Sequence, residues 1–325
     1  MYEYLLAGFG SMIDHNNRHR VAAYQQAMAT AIRPGSVVLE IGTGLGFFAM
    51  YACQLGARHV YAVEPNPLIH LGKEIAAANG FAKQITFIND MSQAISLPES
   101  ADVVISDLRG SLPWLADHIP TIQDARTRLL KPSGVQIPTH DTVWAAVVHA
   151  PEAYQNRLGA WDKNPFDLDL SLARKRIVNT IGKSRIKTTS LLTEPICWAD
   201  LDYRTLNETN ASGDLQWTIA QAGKAHGLSM WFVSELVPTV VLSNAPDQPH
   251  NPVYSQTFFP FEQPIDLDIE DKIQIDIQTK RMGNQYIWVW NTNVQTHLGV
   301  EKANFKQSSF WSLNWGDLRV NRLSA

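Results

Sequence analysis

The sequence predicts an α/β chain in two parts: a domain of alternating strands and helices with a parallel sheet, then a mostly antiparallel β domain, a barrel or a sandwich. Three observations predict this. Strand and helix signals alternate over the first 140 residues. A glycine loop, Gly42-Thr-Gly-Leu-Gly46, separates the first strand from its helix. After Lys131-Pro-Ser-Gly-Val-Gln-Ile-Pro138 the pattern changes to β-branched and aromatic runs. A chain of 325 residues exceeds the usual size of a single core, and the boundary is placed at Pro138, giving domains 1–138 and 139–325.

The elements follow in order. Ser36 to Ile41 is a short apolar run that ends at glycines, as a buried strand does. Phe47 to Leu55 has helical length and is stopped by Gly56. His59 to Val63 is a second strand, ending at Glu64-Pro65, and Leu68 to Asn79 a second helix with Gly80 as its cap. Ile85 to Ile88 and Val103 to Ile105 are further strands. Strands joined by crossover helices imply a parallel sheet, whose ligands lie beyond the carboxyl ends of its strands. In the second half, Thr142 to Val148, Thr239 to Leu242 and Lys272 to Ile277 are strand-like, and Arg281 to Asn291 is the second arm of a hairpin. Phe166 to Ile177 has the composition of a short helical excursion.

Composition excludes several classes. A hydrophobic fraction of 45% with 18% charged residues is that of a globular protein. A net charge of −4 supplies no field that would recruit nucleic acid, and Arg174-Lys175-Arg176 is a solvated helix face. Cys53 and Cys197 make neither a disulfide framework nor a metal cluster. No apolar run reaches the ~18 residues of a membrane span, and no signal peptide opens the chain, so a cytoplasmic setting without membrane contact is expected.

The glycine loop carries the first functional inference. It reads G-x-G-x-G, preceded by Glu40, so the third glycine of a dinucleotide fingerprint is replaced by Phe47. No lysine follows as in a triphosphate loop. Gly42, Thr43, Gly44 and Gly46 let a ligand approach the backbone closely. Glu64 ends the second strand, where a carboxylate can accept both hydroxyl hydrogens of an adenosine ribose.

Six further stretches belong with this loop: Met12-Ile13, Arg20-Val-Ala-Ala-Tyr24, Gly56 to Glu64, Leu129 to Pro138, Trp161 to Thr180, and His226 to Leu236. In this order they resemble the protein arginine methyltransferase family of class I S-adenosylmethionine-dependent methyltransferases, over nearly the full length of the chain. The resemblance implies a Rossmann-like class I methyltransferase domain, then a β-barrel with a helical dimerisation arm at about residues 156–180. It implies S-adenosyl-L-methionine as cofactor, with Arg20 on the methionine carboxylate and Glu64-Pro65 at the ribose. The adenine falls to Asn89-Asp-Met-Ser-Gln93. Where the family has a glutamate, this chain offers Ser92 and Gln93, with Asp90 as a competing candidate.

The acceptor loop departs from the family. Two carboxylates suit a guanidinium acceptor, because paired charge-assisted bonds hold its nitrogens and leave one aimed at the methyl group. The family's Ser-Glu-Trp-Met-Gly is replaced here by Ser106-Asp107-Leu-Arg-Gly110. Asp107 keeps the charge but is shorter by one methylene, about an ångström. Ala116 stands where the second acid belongs, and Asp117 comes one residue later. Two readings of Arg109 stay open: an ion pair with Asp107 or Asp117, or a grip on an anionic acceptor. The family's Thr-His-Trp loop falls on Pro252-Val-Tyr254, where Tyr254 is a substitute pocket wall and His250 lies upstream.

These features predict methyl transfer to a guanidino or other nitrogen of a peptide, protein or small molecule, with Asp107, Asp117 and Arg109 at the reacting centre. The alternatives are a small-molecule N- or O-methyltransferase with an anionic acceptor, and a non-catalytic protein that binds the cofactor or a partner. A homodimer is expected through the arm, with Trp161, Phe166, Leu168, Leu170 and Leu172 as its apolar anchors.

Overall fold

The computed structural model describes residues 8, 10, 13, 14, 17–249 and 253–310, so Met12, His250 and Pro252 lie outside the described residues. Helix α1 (Arg18–Ala31) precedes a parallel sheet of β1 (Val37–Ile41), β2 (His59–Val63), β3 (Ile85–Ile88), β4 (Ala101–Ser106) and β5 (Leu130–Ile137). The strand order is β3-β2-β1-β4-β5. Helices α2 (Phe47–Gln54) and α3 (Ile69–Ala78) connect β1 to β2 and β2 to β3, and α4 (His118–Arg128) leads into β5. Every residue of β1 is buried, as a central parallel strand covered on both faces requires. The order places β1 and β4 side by side, with Ile41 opposite Ser106, so the turns leaving both strands open at one edge of the sheet.

The parallel sheet ends at Ile137 and an antiparallel system begins with β6 (His140–Val148). Helices α5 (Pro151–Asp162) and α6 (Ser171–Ile177) follow, then β7 (Gly182–Ser184), β8 (Ile196–Asp202), β9 (Ala211–Thr218), β10 (Gly223–Val237) and β11 (Val240–Ser243). The remaining strands are β12 (Gln256–Leu267), β13 (Lys272–Met282), β14 (Gln285–Gln295) and β15 (Glu301–Ser308). One sheet has the order β7-β12-β10-β6-β8, with β11 beside β10; the other is β15-β14-β13-β9. Phe232, Phe259 and Phe261 of the first sheet and Ile275, Trp288 and Trp290 of the second share one core, making a barrel-like body.

Two boundaries differ from the sequence reading. The hairpin turn falls at Gly283, whose φ of 61° is left-handed, so Arg281 and Met282 close the first arm instead of opening the second. Helix α5 precedes the expected excursion; Pro151 at its start and Glu152 in its first turn are the local signals that were passed over. Lys175 and Arg176 are exposed, whereas Arg174 is half-buried; it pairs with Asp162 and donates to Tyr154 Oη (3.0 Å) and to the carbonyl of Glu262 (3.1 Å). Among the described residues, no helix is long and apolar enough to cross a membrane.

Candidate active site

The site begins at the turn leaving β1. Gly42 has φ 78°, and a side chain there would run into Leu108 Cδ2 from the loop after β4. The amides of Gly42 and Thr43 both donate to the carbonyl of Val63 (2.8 and 3.1 Å), which ties this turn to the end of β2. Glu64 follows there. Its carboxylate accepts from the backbone N–H of Gly44 (3.1 Å) and of Asn66 (3.0 Å), so both oxygens are oriented before any ligand arrives. Glu40 is buried and accepts from Thr43 Oγ1 at 2.5 Å. Burial pushes its carboxyl up to about 7, against the opposing pull of that hydroxyl and of Arg20.

Two cavities meet over Ile41 and Gly42. One of about 240 Å³ is lined by Glu64, Pro65, Asp90, Met91, Ser92 and Leu108. The other, of about 50 Å³, is lined by Arg20, Glu40, Thr43, Gly44, Phe48 and Asp107. The donor set fits a nucleoside joined to an amino acid. A ribose-accepting carboxylate and apolar walls lie on one side, and a guanidinium on the other. Arg128 shapes the first cavity by donating to the carbonyls of Ile95 (2.9 Å) and Ser92 (3.0 Å). Within that segment Ser92 is buried, whereas Gln93 spends its amide on Thr121 Oγ1 (2.8 Å) and Asp90 accepts from the Met91 N–H (2.7 Å). Gly46 (φ 80°) starts α2 and lies against the ring of Phe87.

Asp107 leaves β4 into the same opening, with only 7% of its side chain exposed. Arg20 Nε donates to Asp107 Oδ2 at 2.7 Å, and Arg20 Nη2 pairs with the same oxygen. Tyr254 Oη donates to Asp107 Oδ1. Burial alone would raise the Asp107 pKa, but Arg20, Arg109 and the Tyr254 hydroxyl prevail and hold it below the usual carboxylate range. Tyr254 is pushed up by burial and by Asp107, so it remains a donor.

Arg109 answers the question its position raised. Its side chain has no exposed surface; Nη1 bonds Asp141 Oδ1 at 2.8 Å and Nη2 bonds Tyr24 Oη at 3.2 Å. Its Nε lies 3.9 Å from Asp107 Oδ1, and its guanidinium sits 4.9 Å from the Phe232 ring centroid. The main partner is therefore Asp141 on β6, which neither sequence reading of Arg109 named. A guanidinium committed in this way offers no grip to an anionic acceptor.

Asp117 goes elsewhere. It lines the larger cavity rather than the one Asp107 enters and bonds Arg281 at 2.5 Å, while Ala116 takes φ 44°. Asp107 and Asp117 are thus not brought to one point. Ser106 is buried, and its Oγ has no hydrogen-bond partner among the described residues. His118, also missed by the sequence reading, lies in the wall of the larger cavity and approaches Tyr203 Oη at 3.3 Å. Burial, with help from Arg109, lowers its pKa to about 3, so it is neutral. Tyr203 in turn donates to Asp141 Oδ2 at 2.7 Å. A buried chain of polar groups thus joins His118 through Tyr203, Asp141 and Arg109 to Asp107. The one signal for it was Asp141 itself, a lone acid leading into an apolar strand.

A family model described as "Arginine methyltransferase oligomerization subdomain" matches residues 139–290. A second, described as "Ribosomal protein L11 methyltransferase", matches residues 22–139. A probable protein arginine N-methyltransferase 6 of Arabidopsis thaliana is 25% identical over 66% of this chain, which spans about half (52%) of that relative. The structure of protein arginine methyltransferase 10 of Arabidopsis thaliana superposes with a TM-score of 0.80 at 22% identity, covering 93% of this chain and 97% of that one. A Trypanosoma brucei PRMT1 enzyme-prozyme heterotetrameric complex with AdoHcy gives 0.77 at 22% identity, covering 89% and 94%.

Proposed function

We propose, from the premise that this chain is a protein-arginine-methyltransferase-like protein of the class I methyltransferase fold, that it transfers a methyl group to an acceptor nitrogen, a guanidino nitrogen first among them. The observation that carries the proposal is the placing of Asp107 and the Gly42 turn, on neighbouring strands, around one cavity. S-adenosyl-L-methionine, when bound, supplies an electrophilic methyl group. Gly42, Thr43, Gly44 and Gly46 would admit it to the backbone, with Glu64 on the ribose and Pro65 beside it. Ser92 and Asp90 lie at the adenine end, and Arg20, Glu40 and Ser106 at the amino-acid end.

Asp107 orients the acceptor. A carboxylate has about four lone-pair positions, and Arg20 takes two on Oδ2 while Tyr254 takes one on Oδ1. A further donor, an acceptor N–H, fits the remaining position on Oδ1. Its lowered pKa makes Asp107 a fixed anion that aligns a cationic nitrogen, and a poor base. Asp117 contributes no second arm while Arg281 holds it. Arg109 is a positioning residue, since it acts on Asp107 from Asp141 without reaching the cavity.

Incubation with methyl-labelled cofactor and arginine-containing peptides or free arginine tests this. Label should appear on the guanidino group, and Asp107→Asn should lower kcat at least about a hundredfold, as loss of a positioning charge does. Label found only on a phenol or a carboxylate would reject the nitrogen acceptor.

The arm supports a homodimer as the working form. Phe166 and Leu172 are 77% and 79% exposed, and Leu168 lies between them, also exposed. Three large apolar side chains on one short excursion suit a contact with a second copy. Leu170 and Trp161 are half-buried.

A further inference from the structure

A further cavity in the barrel-like body shares no lining residue with the cleft just described. It has about 670 Å³ and three tryptophan walls, Trp144, Trp217 and Trp231. Trp144 on β6 and Trp231 on β10 are directly opposed across the antiparallel pair. They occupy the face opposite Val143 and Phe232, which belong to the core. Trp217 closes the cavity from β9, and its Nε1 donates to the carbonyl of Glu194 at 2.8 Å. Trp144 Nε1 donates to Thr142 Oγ1 at 2.9 Å. With these N–H groups satisfied inside the protein, the two indoles offer a ligand only their aromatic surface, the part that attracts cations.

The charges agree with the rings. Glu194 and Asp247 both line the cavity, and among the described residues no lysine, arginine or histidine lines it. Among the described residues neither carboxylate is in an ion pair; Asp247 only accepts from Gln248 Nε2 at 3.3 Å. Arg185 and Lys187 line the adjoining hollow, which shares Thr188 and Pro246 with this one. A polycation would meet them, whereas a single soft cation at the tryptophan end would not.

We infer that this cavity is a second binding site, for a singly charged organic cation of the methylated ammonium or guanidinium class. The inference does not depend on the activity proposed for the cleft. Choline, methylguanidinium and 3,3-dimethylbutan-1-ol, the uncharged shape-mimic of choline, separate the possible outcomes in ligand-observed NMR titrations of the full chain. The two cations should broaden and bind about tenfold more tightly than the alcohol, the ratio that one cation–π contact plus two carboxylates supports. Glu194→Gln with Asp247→Asn, both exposed and safe for the fold, should weaken the cations severalfold and leave the alcohol unchanged. Trp144→Leu should weaken all three probes. Saturation with S-adenosylhomocysteine should change nothing. Equal binding of the alcohol, indifference to the double carboxylate variant, displacement by S-adenosylhomocysteine, or no binding of either cation at millimolar concentration would each overturn the site.

Discussion

Glu40 shows what a single buried group does to the pH response of the fold. Its folded pKa of about 7 exceeds the ordinary 4.5 because burial penalises the charge. Between these values the folded protein keeps a proton that the unfolded chain has released. Stability therefore falls as pH rises through that window and is level above it. The total change contributed by this one residue across the window is on the order of 3 kcal/mol. Glu40→Gln should remove it, so urea unfolding at about pH 5 and about pH 8 should show the parent losing ground that the variant keeps. Parallel losses would disprove the assignment. At this scale the sequence disclosed some side chains and hid others. Glu64 was legible because a short apolar strand ends on it beside a glycine turn. The partners of Arg109 were not, because Asp141 and Tyr24 lie 32 and 85 residues away, and only the packing of the two domains brings them together. Asp117 misled for the opposite reason. It comes one residue later than the family's spacing, and Arg281, distant in sequence, pairs with it.

The elements that matter most are the turn after β1 and the loop after β4, because they touch. Leu108 occupies the space beside Gly42 that a methyl group would need, so the floor of the cofactor cleft is built from both. Gly42→Ala should lower the affinity for S-adenosylhomocysteine by at least about tenfold, measured by calorimetry. Adding Leu108→Ala should restore part of the loss by removing the clash, while a cost of about 1–2 kcal/mol remains from the left-handed backbone. Unchanged affinity in the single variant would mean that the two elements do not share this floor. The parallel sheet was the easiest part of the fold to read: β2 and β3 have the bounds their apolar runs suggest. Strands such as β15 (Glu301–Ser308) escaped notice because only Ala303 and Phe305 mark their buried face amid charged and amide side chains. A period of two carried by two residues is too short a signal against the turns around it.

For the whole molecule the exposed arm sets the expected assembly. Light scattering at micromolar concentration should give twice the chain mass of 36.3 kDa. Replacing Phe166, Leu168 and Leu172 together by serine should give the single mass with little change in Tm, since these side chains add almost nothing to the core of one subunit. A parent already monomeric would remove the arm from the account. Within one chain the dependence of the halves on each other is closer still. Trp114, from the loop that begins at Asp107, lodges between Trp198 and Trp288 of the barrel-like body, with ring centroids 5.0 and 5.7 Å away. The loop after β4 is thus nailed to a neighbour it does not belong to by sequence. Anyone grafting this cofactor domain onto a foreign scaffold would have to transplant a socket for that indole, an acid at the 141 register and a phenol at 254. The recombinable unit of this protein is larger than either of its folds.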